Sequence, residues 1–143
     1  MASGFAMIAR ASKAARTDRD GTIFDSLSEL RRWRELQLLE RAGLIRNLRR
    51  QVVFPLVIND GRSVRPIKID SPRYPNGRSC VWTADFTYEE AHEGGLAWRE
   101  ITEEHKPRWT DEARLRIAVA KAVYDMDVRI TGGGKLRRKR VPA

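Results

Sequence analysis

The sequence predicts a mixed α/β domain in which a central β-sheet is flanked by helices. Apolar residues recur at helical spacing over residues 27–42 and 110–124. The segments 51–58, 80–88 and 96–106 are instead rich in the β-branched and aromatic residues that are typical of strands. A chain of 143 residues is long enough for one domain with one hydrophobic core. The order of helix, several strands and helix therefore indicates one sheet with helices around it.

The first predicted helix has a signal at each of its ends. Ser26, followed three residues later by Glu29, forms a capping box, so the helix should begin at about Leu27. Gly43 should end it, because glycine adopts the left-handed conformation of a helix C-terminus at little cost. The apolar stripe of this helix consists of Leu27, Leu30, Trp33, Leu36, Leu38 and Leu39.

The segments after Gly43 predict a strand, a hairpin turn and a loop. Residues 51–58 predict a strand, and Pro55 places it at an edge or a bulge because proline cannot donate to the ladder. Asn59-Asp60-Gly61 predicts a hairpin turn, and residues 64–69 predict the returning strand. Residues 71–77 contain two prolines and a glycine, which predicts a loop.

The strand predicted over residues 80–88 alternates in character. Its buried face should carry Trp82, Ala84, Phe86 and Tyr88, while Val81, Thr83, Asp85 and Thr87 occupy the other face. The next strand, 96–106, ends at Pro107. A second helix should begin at Thr110 or Asp111 and run to about Tyr124, and residues 128–130 predict a last short strand. The apolar positions of that helix are Leu115, Ile117, Ala118, Val119, Ala122 and Val123.

Positive charge is concentrated at the ends of the chain. The formal net charge is +9, of which the tail contributes five charges through Lys135, Arg137, Arg138, Lys139 and Arg140. We therefore expect a flexible basic arm over residues 1–19, a folded domain over 20–131, and a Gly-rich hinge with a basic tail over 132–143. Basic ends on a nearly balanced middle predict DNA as the partner. A transit-like or localisation role would explain the same composition.

The composition argues against a membrane protein and a disulfide-bonded protein. No apolar run approaches the ~20 residues that a membrane-spanning helix requires, so we expect no membrane partner. The single cysteine, Cys80, allows neither an intrachain disulfide nor a Cys-rich zinc site. A reducing cytoplasm is the location that this cysteine usage predicts.

The residues with the clearest chemical pattern are Asp85 and, after a predicted hairpin, Glu104-His105-Lys106. Residues two apart in a strand share a face, so Glu104 and Lys106 should point the same way, and pairing of the two strands would bring Asp85 alongside Glu104. Two neighbouring carboxylates repel each other unless a cation lies between them. Oxygen ligands favour Mg²⁺ or Mn²⁺, and the backbone carbonyl of His105 can add a further ligand.

This pattern resembles the PD-(D/E)XK nuclease superfamily, in which an acid precedes an acid–X–Lys element by one hairpin. More narrowly, the chain resembles a set of small, uncharacterised phage and prophage proteins similar to Holliday-junction-resolving endonucleases. The matching blocks lie within residues 20–131 and comprise Phe24-Asp25-Ser26 with Glu29, Leu38–Gly43, Leu48 with Gln51 and Phe54, Ala84-Asp85-Phe86 and Glu103–Lys106. Three departures are Ala84 in place of proline, Pro107 in place of glycine, and an apparent insertion over 70–80.

The resemblance implies a restriction-endonuclease-like core and a Mg²⁺-dependent DNA endonuclease in the cytoplasm of a bacterial host. It implies that Asp85, Glu104 and Glu29 bind the metal and that Lys106 assists hydrolysis of the phosphodiester bond. It also places Gln51 beside the site. Resolution of a branched recombination intermediate takes two cuts, which a homodimer would supply. Contacts with the phosphate backbone are expected from the tail and from Arg114, Arg116 and Lys121.

Each of these residues has a simpler interpretation. Glu103 competes with Glu104, although only Glu104 shares a face with Lys106. Glu29 is fully explained as a helix cap. His105 and His92 are expected at the surface. A non-catalytic nucleic-acid-binding accessory protein on a nuclease fold is the alternative function, and an interaction protein with an incidental basic tail is a third.

Overall fold

The computed structural model describes residues 10–106 and 108–133, and the basic tail residues Lys135, Arg137, Arg138, Lys139 and Arg140 lie outside them. Two helices and eight strands follow one another along the described chain. Their order is α1 (Leu27–Arg41), β1 (Ile45–Pro55), β2 (Val57–Asn59), β3 (Val64–Pro66), β4 (Lys68–Ser71), β5 (Tyr74–Ser79), β6 (Val81–His92), β7 (Ala97–His105), α2 (Asp111–Tyr124) and β8 (Arg129–Thr131).

The central sheet has four strands in the order β1-β6-β7-β8. The β1–β6 and β6–β7 pairs are antiparallel, whereas β7 and β8 are parallel. A 3₁₀ turn over Glu93–Gly95 joins β6 to β7. This architecture confirms the predicted mixed α/β class with one central sheet, and the last short strand is confirmed as β8.

Both predicted helices are confirmed with nearly the predicted bounds. The hydroxyl of Ser26 accepts from the main-chain N–H of Glu29 at the start of α1, and Thr110 caps α2 in the same way. After α1, Gly43 has a φ of +75° and the N–H of Leu44 donates to the carbonyl of Leu39, which is a Schellman ending. No helix of the described residues is long and apolar enough to cross a membrane.

The apolar stripes of the helices are narrower than the sequence predicts. Leu38 on α1 and Leu115, Ala118 and Ala122 on α2 are exposed. The helix α1 packs through Leu36 and Trp33 on the sheet, where the Trp33 ring is stacked on Phe86 with 5.9 Å between ring centroids. The helix α2 packs through Ile117 and Ala120 against a second cluster around Trp82 and Ala84. The predicted buried face of β6 is confirmed, since Trp82, Ala84, Phe86 and Tyr88 are all buried.

The predicted strand over 51–58 is corrected in two ways. It begins earlier, at Ile45, and it ends at Pro55 on the edge of the central sheet. At Leu56 the main-chain N–H donates to the carbonyl of Cys80 instead of continuing the ladder, so Val57–Asn59 leaves the central sheet and pairs with Val64–Pro66. The predicted turn at Asn59-Asp60-Gly61 is confirmed as part of a longer connection in which Asp60 accepts from Ser63.

The loop predicted over 71–77 is wrong, because Tyr74–Ser79 forms β5 and pairs with β4. The two-stranded β2–β3 and β4–β5 pairs meet at one point beside β6. There the N–H of Ile67 donates to the carbonyl of Leu56, and the N–H of Cys80 donates to the carbonyl of Ile67. Leu56 and Cys80 are buried at this junction. Residues 57–79 therefore form a double hairpin that is anchored at its base.

The segment before α1 is packed where the structure describes it. Arg16 is only 9% exposed, and its guanidinium donates to the main-chain carbonyls of Ala11 and Phe24 at 3.0 and 2.6 Å. An antiparallel bridge joins Thr17 to Ile23. Residues 10–19, which belong to the predicted flexible arm, are therefore held against the domain by specific hydrogen bonds. The rest of that arm lies outside the described residues.

Candidate active site

The β6–β7 pairing brings Asp85 and Glu104 side by side. Phe86 pairs with Glu103 in the antiparallel register, so Asp85 lies opposite Glu104 at the next position. The strands part here, and the main-chain N–H of His105 donates to Oδ2 of Asp85 at 2.8 Å. One oxygen of Asp85 is thereby fixed by the backbone of the strand that carries Glu104 and Lys106. The predicted strand frame of these residues is the observed one.

Glu104 is almost fully buried, with 2% of its surface exposed. Its Oε1 atom lies 3.2 Å from Nζ of Lys106, while its buried Oε2 atom has no hydrogen-bond partner. Burial and, after it, the charge of Asp85 raise the pKa of Glu104 to about 7. A buried carboxylate oxygen without a partner is costly, so this atom has an unmet need for a proton or a cation.

Glu29 reaches the same region from the first turn of α1. It is 4% exposed, and burial together with the charge of Asp85 raises its pKa to about 7. The Nε2 atom of Gln51, on β1, lies 3.4 Å from Oε1 of Glu29 and 3.4 Å from Oδ1 of Asp85. The amide of Gln51 therefore lies between the two carboxylates. Gln51 is beside the site, as the resemblance implied.

The predicted carboxylates are neighbours but do not form a closed set of metal ligands. Within residues 10–106 and 108–133, no three Asp, Glu, His or Cys side chains converge as the ligands of one metal ion do. Asp85 and Glu104 are the two that the sheet brings together, and the amide of Gln51 links Asp85 to Glu29.

The remaining charges of the site are arranged around Lys106. Burial raises the pKa of Asp85, although the N–H of His105 and the charge of Lys106 oppose the shift. Burial would lower the pKa of Lys106, but the neighbouring carboxylates, Glu104 first among them, raise it above its usual value. Lys106 is therefore a protonated ammonium group among three carboxylates, and this excess of acidic groups favours a cation beside it.

Glu103, the alternative to Glu104, has a structural role on the other face of β7. It is completely buried, and Arg32 of α1 donates to both of its oxygens at 2.8 Å. Tyr88 and Thr131 also donate to it, at 2.7 and 3.1 Å. Burial would raise the pKa of Glu103, but Arg32 and Tyr88 outweigh it and hold the pKa below its usual range. Glu103 therefore joins α1 to the sheet and takes no part in the candidate site.

His105 is buried, which corrects the expectation of a surface histidine. Its ring is held by Ser28 of α1 through Nε2 at 2.6 Å and by Thr131 of β8 through Nδ1 at 2.9 Å. Burial lowers its pKa and so favours the neutral ring, although the charges of Glu103 and Asp85 oppose the shift. Gly132 packs directly on this ring, since a β-carbon there would lie 2.5 Å from it. The polar residues that hold His105 are far away in the sequence, so no local pattern indicates its burial.

Gln51 has a strained backbone that the sequence does not reveal. Its φ is +53°, a left-handed value that is unusual for a residue other than glycine, and it occurs within β1 beside Asp85. Strain of this kind persists only where the surroundings enforce it, and it is concentrated at functional sites. Asn47 has a similar φ of +54°, so Gln51 is assigned to the site by its contacts with Glu29 and Asp85 and not by its φ alone.

A groove of about 320 Å³ opens beside these groups and is lined by Trp82, Thr83, Glu104, Lys106, Thr110, Glu112, Ala113 and Arg116. Of the predicted phosphate-binding residues on α2, only Arg116 lines it, and its guanidinium is held by Glu112 and by the carbonyl of Val81, both at 2.8 Å. Arg114 and Lys121 are exposed and line a different depression with Trp109. The structure thus separates one member of this predicted set from the other two.

Comparison with protein-family models, with curated proteins and with solved structures returns no match for this chain. The resemblance to the PD-(D/E)XK superfamily accordingly depends on the residues described above.

Proposed function

We propose that this protein is a metal-dependent DNA endonuclease with a PD-(D/E)XK-like core. The observation that carries the proposal is the pair Asp85 and Glu104 beside Lys106, with Oε2 of Glu104 buried and unpartnered. A strand register and a sheet order of this kind are compatible with a restriction-endonuclease-like core. The polar groove beside the pair gives an extended substrate access to Glu104 and to the ammonium group of Lys106.

The donor set suits Mg²⁺ or Mn²⁺. Carboxylate oxygens are hard ligands, and both Asp85 and Glu104 have pKa values raised by burial, which a bound cation would reverse. These two residues would hold the ion, and the carbonyl of His105 would be a third ligand. Glu29 is connected to Asp85 through the amide of Gln51. When bound, such an ion polarises a phosphoryl oxygen and acidifies a water molecule.

The chain's own groups divide the remaining work. Asp85 is held in place by the N–H of His105, so that its free oxygen has a fixed direction. The ammonium group of Lys106 lies 3.2 Å from Glu104 and remains partly exposed. It would therefore be able to contact the phosphate or the attacking water. Gln51 bridges Glu29 and Asp85 through the N–H groups of its amide. Cleavage then depends on positioning and on electrostatic stabilisation rather than on a covalent intermediate.

DNA is the substrate that the charges favour. The chain has a formal net charge of +9, and phosphate contacts dominate the affinity of most DNA-binding proteins. A branched recombination intermediate and action as a homodimer in the bacterial cytoplasm are the finer proposals, and they depend on the family resemblance alone.

The absence of three converging ligands among the described residues favours a second candidate, a non-catalytic DNA-binding accessory protein on the same fold. In that case the carboxylates would be a vestigial site, and DNA would bind without being cut.

One experiment separates the two functions. Plasmid, linear duplex and a four-way junction are incubated with the protein in Mg²⁺ or in EDTA, next to the variants Asp85→Ala and Lys106→Ala. We expect Mg²⁺-dependent cuts by the wild type, none in EDTA, and none by either variant. Binding without any cut would support the accessory protein. Normal cutting by both variants would refute the site even if the endonuclease remained.

A further inference from the structure

The β4–β5 hairpin, residues 68–79, is called the hairpin arm below. It carries exposed positive charges that form no ion pair among the described residues. Lys68, Arg73 and Arg78 are exposed, and none of the three has an ion-pair partner among the described residues. Asp70 is the single acidic residue of the segment. Three unpaired cations against one acid favour a polyanion as the partner of this surface.

The hairpin arm contributes little to the hydrophobic core. Its large apolar side chains, Ile69 and Tyr74, remain 52% and 53% exposed. A two-stranded hairpin that buries so little is not stable by its own packing. It is instead held at its base, where the main-chain N–H of Cys80 donates to the carbonyl of Ile67 at 2.8 Å. An anchored and exposed basic hairpin indicates contact with a partner rather than a role in folding.

The hairpin arm adjoins the candidate site through Arg116. Arg116 lines the groove that contains Glu104 and Lys106, and it also lines a second groove of about 230 Å³ between α2 and the hairpin arm. Arg78 belongs to the wall of that second groove. A nucleic-acid backbone that enters the site groove would therefore pass Arg116 and reach Arg78 at the base of the hairpin arm.

We propose that the hairpin arm is a duplex-DNA-binding element beside the candidate site, whose backbone-phosphate contacts are Lys68 and Arg78 on its two faces and Arg73 at its turn. The choice of DNA as the partner rests on the proposed function. The six residues of β5 span about 20 Å at ~3.3 Å each. Successive phosphates of one DNA strand advance by ~3.4 Å along the duplex, so the hairpin arm covers about half a helical turn.

The test measures binding of a fluorescent duplex of about three helical turns over a range of salt concentrations, in EDTA so that no cleavage is needed. The triple variant Lys68→Ala, Arg73→Ala, Arg78→Ala is compared with a control triple, Arg31→Ala, Arg41→Ala, Arg49→Ala. The control residues are exposed cations away from both grooves, and their removal changes the net charge by the same amount. Thermal unfolding verifies that both variants are folded.

For the arm variant, the slope of log K against log salt should become shallower by about 0.9 per lost contact, or by about 2.7 in total, and Arg73→Ala alone by about 0.9. The control triple should keep the wild-type slope. Equal changes in both triples, or none in the arm variant, would overturn the proposal. Cleavage is taken from the incubation with Mg²⁺ described above. If the wild type cuts DNA there but the slope of the arm variant is unchanged, only this inference is refuted. If the slope changes but the wild type does not cut DNA, only the nuclease proposal is refuted.

Discussion

The main-chain N–H of His105 donates to Oδ2 of Asp85 at 2.8 Å, across the point where β6 and β7 cease to pair. A carboxylate thus replaces a main-chain carbonyl in the ladder, and its second oxygen faces the amide of Gln51 at 3.4 Å. The ring of the same histidine is held by Ser28 and Thr131. His105 therefore connects both neighbouring elements, α1 and β8, to the position of Asp85.

The first prediction concerns Asp85→Asn. The amide oxygen can still accept from His105, so the local fold should be kept while the charge is lost. We expect cleavage of plasmid DNA to fall by at least about 10²-fold, as for removal of an electrostatic catalytic group. Because Asp85 raises the pKa of both Glu29 and Glu104, the thermal stability should stay the same or increase. A large fall in stability would assign Asp85 a mainly structural role.

The second prediction concerns Lys106→Met. Lys106 lowers the pKa of Glu104, which burial has raised to about 7. Its removal should therefore raise that pKa further and shift the acid limb of the pH–rate profile to higher pH, in addition to lowering the rate. Lys106→Arg, which keeps the charge, should restore the position of the limb but not the full rate. Initial rates of plasmid nicking across pH give both quantities, and an unshifted limb in Lys106→Met would contradict the expectation.

The third prediction is the pH dependence of stability without metal. Glu29 and Glu104 have pKa values of about 7 in the folded protein against a model value of 4.5. The folded state then binds more protons than the unfolded state between these values. Their contribution to stability is complete below about 4.5 and is lost as the pH rises through about 7. Glu104→Gln should flatten the dependence of the unfolding free energy by up to about 1.4 kcal/mol per pH unit. Denaturant titrations in EDTA measure it, and equal slopes in both proteins would count against the shift.

The fourth prediction uses the backbone strain of Gln51, whose φ is +53°. Gln51→Gly should stabilise the protein by about 1 kcal/mol, because glycine adopts this conformation without strain. The same change removes the amide between Glu29 and Asp85, so cleavage should fall. Asn47→Gly is the matched control, since Asn47 has a φ of +54° but contacts Glu89 away from the site. A loss of activity in both variants would show that Gln51 acts only through the shape of β1.

The fifth prediction concerns the buried pair of Arg32 and Glu103. Arg32→Met leaves a fully buried carboxylate without its cation, which should destabilise the fold by about 3 kcal/mol or more. Arg31→Met, at the exposed neighbouring position of α1, should change the stability by less than about 0.5 kcal/mol. Chemical denaturation of both variants makes the comparison, and the double variant with Glu103→Gln should recover part of the loss. Equal stability of Arg32→Met and wild type would mean that Tyr88 and Thr131 suffice for Glu103.

The fold could be predicted where its signals are local. Ser26 and Gly43 mark the ends of α1 because capping depends on residues within one turn. The buried face of β6 follows from the alternation of Trp82 to Tyr88. The strand Tyr74–Ser79 could not be predicted, because it has no buried face to impose alternation and contains Pro75, which argues against a strand.

The candidate site could be predicted only where local sequence signals place its residues. Asp85, Glu104 and Lys106 lie on two adjacent strands, so alternation and one hairpin are enough to bring them together. The structural role of Glu103 depends on Arg32, which is 71 residues away in the sequence. The strain of Gln51 likewise has no sequence signal, since it arises from neighbours on other elements. Contacts of this range are set by tertiary packing.

The base of the double hairpin has a consequence for how the chain tolerates rearrangement. Leu56 donates directly to the carbonyl of Cys80 at 3.0 Å, so residues 57–79 leave and re-enter the domain at neighbouring points. We therefore expect that this segment can be replaced by a shorter connection between β1 and β6, provided that the connection keeps an apolar residue in place of Ile67, which packs against Leu56 and Cys80. Each doubling of a connection changes its closure cost by only about 0.6 kcal/mol, so connections of other lengths should graft there without loss of the domain.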